Sequence, residues 1–115
     1  MRTKNRQTAP HYLWGANCDG WRLEDAADLS VIEERMPPGT TEDWHYHTRS
    51  KQVFYVLAGA LTLDMDGQAH RLTPGDALCV IPGVPHQARN EGKDDAGFLV
   101  ISSPNTRGDR QTRPS

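Results

Sequence analysis

Turn-forming residues recur so often along this chain that no ordinary helix fits between them. Ten glycines and eight prolines are distributed over 115 residues, and no ten-residue stretch keeps a convincing 3.6-residue apolar period. The intervals instead alternate polar with apolar residues or run together β-branched and aromatic ones, which reads as short strands. Leu29 to Met36 is a first strand, stopped by Pro37-Pro38-Gly39. Trp44 to His47 and Gln52 to Leu57 follow. Ala60 to Met65 places Leu61, Leu63 and Met65 on one face and Thr62 and Asp64 on the other. Asp66-Gly67 then supplies a two-residue hairpin turn, and Gln68 to Leu72 returns. Asp76 to Ile81, His86 to Asn90 and Gly97 to Ser102 complete the set. About eight strands at this spacing predict an all-β antiparallel sandwich or small barrel.

A chain of this length makes one domain, and 36% hydrophobic residues are enough for a single core. The predicted organisation is an N-terminal arm over residues 1–28, carrying Tyr12, Trp14 and Trp21, then a barrel over 29–103, then a polar, flexible tail over 104–115. The net charge is -2, which argues against nucleic acid as a partner. Basic residues gather at the ends: Arg2, Lys4 and Arg6 in one tail, Arg107, Arg110 and Arg113 against Asp109 in the other. Setting these six of thirteen bases and one of fifteen acids aside leaves seven against fourteen in an acidic body. Arg107-Gly108-Asp109 resembles an adhesion tripeptide in letters only. Two cysteines, Cys18 and Cys79, make no disulfide framework, and Cys79 in an apolar strand reads as a small buried hydrophobe. No apolar run approaches membrane-spanning length, and the polar N-terminus lacks a signal-peptide core. The expectation is a cytoplasmic protein with no membrane partner. Gln52 to Leu57 and Gly97 to Ile101 are apolar on both faces, so each needs cover on both, and a homodimer is expected.

His45 and His47 are two apart, so on a strand both imidazoles project from one face. Neutral imidazoles held together suit a first-row transition metal, although an HxH pair alone is a weak signal. Its surroundings carry more. From Gly39, five residues precede His45 and His47, four more lead to Gln52, and six more to Gly59. From Gly75, five residues precede Ile81-Pro82-Gly83, two lead to His86, and three to Asn90. This resembles the two-part signature of the cupin superfamily, G-x5-HxH-x4-E-x6-G followed by G-x5-PxG-x2-H-x3-N. The resemblance implies a double-stranded β-helix (jelly-roll) barrel. It also implies one divalent transition metal (zinc, iron, nickel or manganese) held by His45, His47, Gln52 and His86.

Two positions depart from the signature: Ile81 replaces a proline, and Gln52 replaces a glutamate. Glutamine keeps a carbonyl oxygen of similar reach but is neutral and takes no proton. Three imidazoles and an amide leave a bound cation its full charge, which lowers metal affinity and raises attraction for an anion. If Gln52 points inward, so do Phe54 and Val56. Across the Asp66-Gly67 turn His70 falls opposite Leu63, so Leu61, Leu63 and His70 are also expected to line the pocket. His70 is either a further ligand or acid–base group or a half-buried structural histidine. His11 is expected to be exposed, Asp94-Asp95 to be a solvated loop, and Trp14, Trp21 and Trp44 to pack the arm on the barrel or cap its mouth.

Function divides two ways, with a metal-free barrel used for assembly as a lesser third. One reading is a metal-dependent enzyme (dioxygenase, isomerase, cyclase or lyase) whose metal serves as Lewis acid or oxygen activator toward a small oxygenated, anionic molecule. The other is a non-catalytic small-molecule-binding or sensor protein with a bound metal. No residue stands out in the sequence as a dedicated catalytic base.

Overall fold

The computed structural model describes residues 1–113, which form eleven strands and no helix. They are β1 (His11–Trp14), β2 (Cys18–Asp25), β3 (Ser30–Met36), β4 (His45–His47), β5 (Lys51–Ala58), β6 (Leu61–Met65), β7 (Gln68–Leu72), β8 (Ala77–Val80), β9 (His86–Arg89), β10 (Ala96–Ser103) and β11 (Arg110–Thr112). Every pairing is antiparallel. One sheet has the order β1-β2-β3-β10-β5-β8, the other β11-β4-β9-β6-β7. None of the described residues forms a helix long and apolar enough to cross a membrane.

Strict alternation builds the interior. On β10, Ala96, Phe98, Val100 and Ser102 point inward and are buried; on β5, Gln52, Phe54 and Val56 do the same, as do Leu61 and Leu63 on β6. Phe98 and Phe54 meet with ring centroids 6.2 Å apart. Gly59 leaves β5 with φ at +68°, and a Cβ there would lie 2.2 Å from the Asp95 carbonyl oxygen, so the turn accepts only glycine.

The eight strands read from the sequence are all present, with ends shifted by a residue or two. Three more come from the segments read as arm and tail. β1 and β2 extend the six-stranded sheet through β3, the register running from Tyr12 to Gly20 and from Gly20 to Glu34. Residues 109–112, expected in a flexible tail, dock on β4. The cause is Asp109, only 2% exposed. Its carboxylate accepts hydrogen bonds from the backbone N–H of Thr48 (2.9 Å), Arg49 (3.0 Å) and Ser50 (2.8 Å) and from the Thr48 hydroxyl. Asp109 thus closes the β4–β5 turn, and the tripeptide that contains it is a structural clasp. Cys79 is a correction: it is exposed, because Leu78 and Val80 take the inward positions of edge strand β8 and leave it facing out.

These donors hold the Asp109 carboxyl well below the usual carboxylate range. A group so depressed contributes stability above its unfolded value, and that contribution is lost as pH falls. Asp109→Ala is expected to lower the melting temperature by about 5 °C or more at neutral pH, and the gap between variant and wild type should narrow below pH 4. Thermal denaturation followed by circular dichroism across that range checks it.

Candidate metal site and its cavity

Three histidines meet inside the barrel because of strand register. His45 on β4 lies directly opposite His86 on β9, and their ring centroids are 4.3 Å apart. His47, two residues on, shares the inward face. The nearest ring nitrogens of the three residues all lie within 4.8 Å of one another, and all three residues are buried.

Each ring is oriented by a backbone carbonyl. Nδ1–H of His45 donates to Asp43 at 2.8 Å, that of His47 to Asp109 at 2.9 Å and that of His86 to Val84 at 2.9 Å. A carbonyl only accepts, so the proton is fixed on Nδ1 and the lone pair on Nε2. Burial disfavours the charged form: it pushes His45 down to about 3 and His86 down to about 4, and it lowers His47 too. The imidazoles are therefore neutral, as metal ligation requires.

Gln52 faces the same cavity and approaches His47. Its cross-strand neighbour is Ser102, and Gln52 Nε2 donates to Ser102 Oγ at 3.0 Å. That bond occupies the amide nitrogen and leaves the carbonyl oxygen without a partner. His47 Nε2, His86 Nε2 and Gln52 Oε1 are buried without a hydrogen-bond partner. Buried acceptors rarely go unmatched, and a cation would satisfy all three. The donor set, imidazole nitrogens plus an amide oxygen, fits a divalent first-row metal.

The cavity beside these groups has a volume of about 250 Å³, roughly the liquid share of eight waters. Its wall is more polar than the sequence suggested. Glu34, Glu42, Tyr12, Arg22, Arg107 and Arg110 line it alongside Phe54, Ile32, Val100 and Ser102. Glu34 and Tyr12 belong to one cross-strand row. Tyr12 faces Gly20 and Gly20 faces Glu34, so the Tyr12 ring crosses the bare glycine and donates its hydroxyl to Glu34 Oε2 at 3.4 Å. A Cβ on Gly20 would sit 2.3 Å from that ring. Burial, then the nearby Glu42, pushes Glu34 up to about 8. Burial pushes Glu42 up to about 7, against the hydrogen bond it accepts from the Ala88 N–H.

Of the pocket residues expected from sequence, Phe54 lines this cavity. Val56, Leu61 and Leu63 sit deeper in the apolar core. His70 lies opposite Leu63 as the register required, but it is half-buried and does not line the cavity. The tryptophans stay outside it too: Trp14 packs on the core, Trp21 lies beneath the Arg6 guanidinium, and Trp44 beneath that of Arg113. His11 is exposed and meets Asp19 at 2.7 Å. Glu34 had a readable signal, since Ser30, Ile32, Glu34 and Met36 share one face of β3 and Met36 is an inward residue. Tyr12, Arg22 and Arg110 had none, because their strands were not read as strands.

Comparison with known proteins places this geometry. A sequence model of the family described as Cupin domain matches residues 32–102. Protein SchB of Streptomyces halstedii is 39% identical over 67 residues, 58% of this chain and 49% of that protein. Polyketide synthase CurC of Streptomyces cyaneus is 33% identical over 69 residues, 60% of this chain and 45% of that protein. The chain thus spans about half the length of these curated relatives. Among solved structures, KdgF from Halomonas sp. superposes with a TM-score of 0.84 at 21% identity, covering 93% of this chain and 98% of that one, a likeness of fold. With more than half of the residues matched, on an antiparallel barrel that buries the three signature histidines, the chain belongs to the cupin domain family.

Proposed function

We propose that this protein binds one divalent transition metal (zinc, iron, nickel or manganese) through His45, His47, His86 and Gln52 and acts on a small, oxygenated, anionic molecule in the adjoining cavity. The observation that carries the reading is the trio of buried, unpartnered acceptors, His47 Nε2, His86 Nε2 and Gln52 Oε1, beside neutral His45. When bound, the metal supplies Lewis acidity toward a substrate oxygen. The chain supplies the rest. Backbone carbonyls hold the imidazoles in one tautomer, and Ser102 aims the Gln52 amide. Glu34, carrying a proton near neutral pH and hydrogen-bonded by Tyr12, is the group placed to give or take a proton at its carboxyl oxygen. That last feature favours catalysis over a sensor or a purely structural metal.

The same reading includes a homodimer in a reducing compartment. Val53, Tyr55, Leu99 and Ile101 are neighbours in register on the outer face of β5 and β10, continuous with Cys79 on β8. A second copy covering this face would shelter both strands on their outer side. Sedimentation at micromolar concentration should give the dimer mass, with Cys79 reacting more slowly with a thiol reagent than in diluted, dissociated protein. A monodisperse monomer overturns the dimer.

Elemental analysis of protein purified without affinity-tag nickel is expected to find one divalent ion per chain, reduced to a small fraction in His86→Ala. Gln52→Glu should hold the ion about tenfold or more tightly and bind anions less well, since it adds a negative charge beside the cation. A wild-type preparation that loads no divalent ion overturns the reading.

Glu34 also makes a stability prediction for the metal-free protein. Its folded value, about 8, lies above the ordinary 4.5, so its contribution is complete below pH 4.5 and is lost as pH rises through 8. Glu34→Gln is expected to be more stable relative to wild type at pH 8.5 than at pH 5. Urea titrations at the two pH values measure the difference.

A further inference from the structure

The cavity wall opposite the apolar core carries two guanidinium groups that the protein itself leaves unpaired. Arg110 on β11 lies directly opposite His47 on β4, which sets it on the imidazole's side of the sheet. Its charge is felt at Glu34, Glu42 and all three imidazoles. Arg22 on β2 is half-buried, with its guanidinium 4.5 Å from the centroid of the Tyr12 ring. Both line the cavity that His45, His47 and Gln52 line. Among the described residues neither makes an ion pair, whereas Arg107, the third arginine of this wall, is engaged by Asp25. Arg110 is on the exposed strand β11, whereas for half-buried Arg22 a guanidinium without an acid is costly unless a ligand supplies the acid; the planar fork of each suits a carboxylate.

We propose that Arg22 and Arg110 form an anion-binding end of the cavity, so that the molecule bound there is a small dianion: one acidic group directed to the histidine cluster, the other, a carboxylate, to the two guanidiniums. This rests on the metal-site reading above and adds the ligand's second charge. The cavity volume limits the ligand to metabolite size. Glu34 and Glu42 line the same cavity; pushed up to about 8 and about 7 by burial, they cancel only part of the cationic charge near neutral pH. Arg22 and Arg110 both lie outside residues 32–102, the part matched to the family, so this end belongs to the chain's own flanking strands.

Paired probes test it. 2-Oxoglutarate and 2-oxoadipate share their 2-oxo acid head with 2-oxopentanoate and 2-oxohexanoate and differ by the far carboxylate. Calorimetric titration of the zinc-loaded protein is expected to show each diacid binding at least about tenfold more tightly than its monoacid, the scale of a charge-assisted hydrogen bond. Arg22→Gln and Arg110→Gln should each remove most of that difference, with zinc stoichiometry unchanged and no fall in melting temperature, and should weaken each monoacid less than its diacid. Equal affinities for diacids and monoacids in the wild type overturn the anion-binding end and leave the metal reading standing, and so does a difference that survives both substitutions. Zinc-loaded protein that binds none of the four overturns this inference and leaves the metal reading standing; protein that takes up no divalent ion overturns the metal reading and this inference with it.

Discussion

Each of the three inward imidazoles gives its Nδ1 proton to a main-chain carbonyl, and the character of the site follows from that. The bond fixes the tautomer and the ring plane and leaves the lone pair on Nε2, which in His47 and His86 is buried without a hydrogen-bond partner. Two of the bonds are local: Asp43 and Val84 each lie two residues before the histidine they hold. The third spans 62 positions, from His47 to the Asp109 carbonyl. The same Asp109 uses its carboxylate to close the turn after His47. Docking of the C-terminal strand and orientation of one imidazole are therefore a single event, and the site is complete only when the last strand is in place.

Much of this was legible in the sequence, for identifiable reasons. The strands from β3 to β10 carry period-two patterns bounded by Pro-Gly, Asp-Gly and Gly-rich turns, and their pairing at Asp66-Gly67 came out in the expected register. The spacing of His45, His47, Gln52 and His86 from the turn glycines carried the resemblance to the cupin signature, and that resemblance implied the candidate metal residues as a set. The flanking strands were not legible. β1 and β2 hide behind mixed charge and isolated tryptophans, and β11 is three polar residues held by an aspartate whose partners are backbone amides 59 to 61 residues away. No local pattern announces a contact of that kind. Cys79 was misplaced because an apolar strand at a sheet edge still has an outer face. Glu34 was missed although its parity on β3 matches that of buried Met36: a charged residue at an inward position signals either an error of register or a functional group, and here its hydrogen bond from Tyr12 and its place in the cavity favour the second.

Gln52 shows how one neutral substitution changes the demands on the rest of the cavity. A glutamate at this position would bring its own charge to a bound cation. The amide must be turned, and Ser102, its partner across β5 and β10, turns it. What the amide withholds in charge remains available to a ligand. The wall carries Arg22 and Arg110, which have no internal acid, and Glu34, whose carboxyl burial pushes up to about 8. Both features point the electrostatics of the cavity in the same direction, toward an incoming anion.

The division of labour along the chain follows. The central segment, matched to the family, builds the barrel and places the histidines, and it does so with short turns and buried registers that tolerate little change. The flanks contribute Tyr12, Arg22, Arg107 and Arg110, side chains that touch the cavity without being needed to close the core. Gly20 shows that the junction is specific: a bare position on β2 is what lets Tyr12 cross from the edge strand to reach Glu34. β1 and β11 are edge strands and β2 is paired between β1 and β3, and Tyr12, Arg22 and Arg110 all lie outside the apolar core cluster. On the metal-site reading, with the center given to the histidine cluster, selection among ligands falls to these flanks.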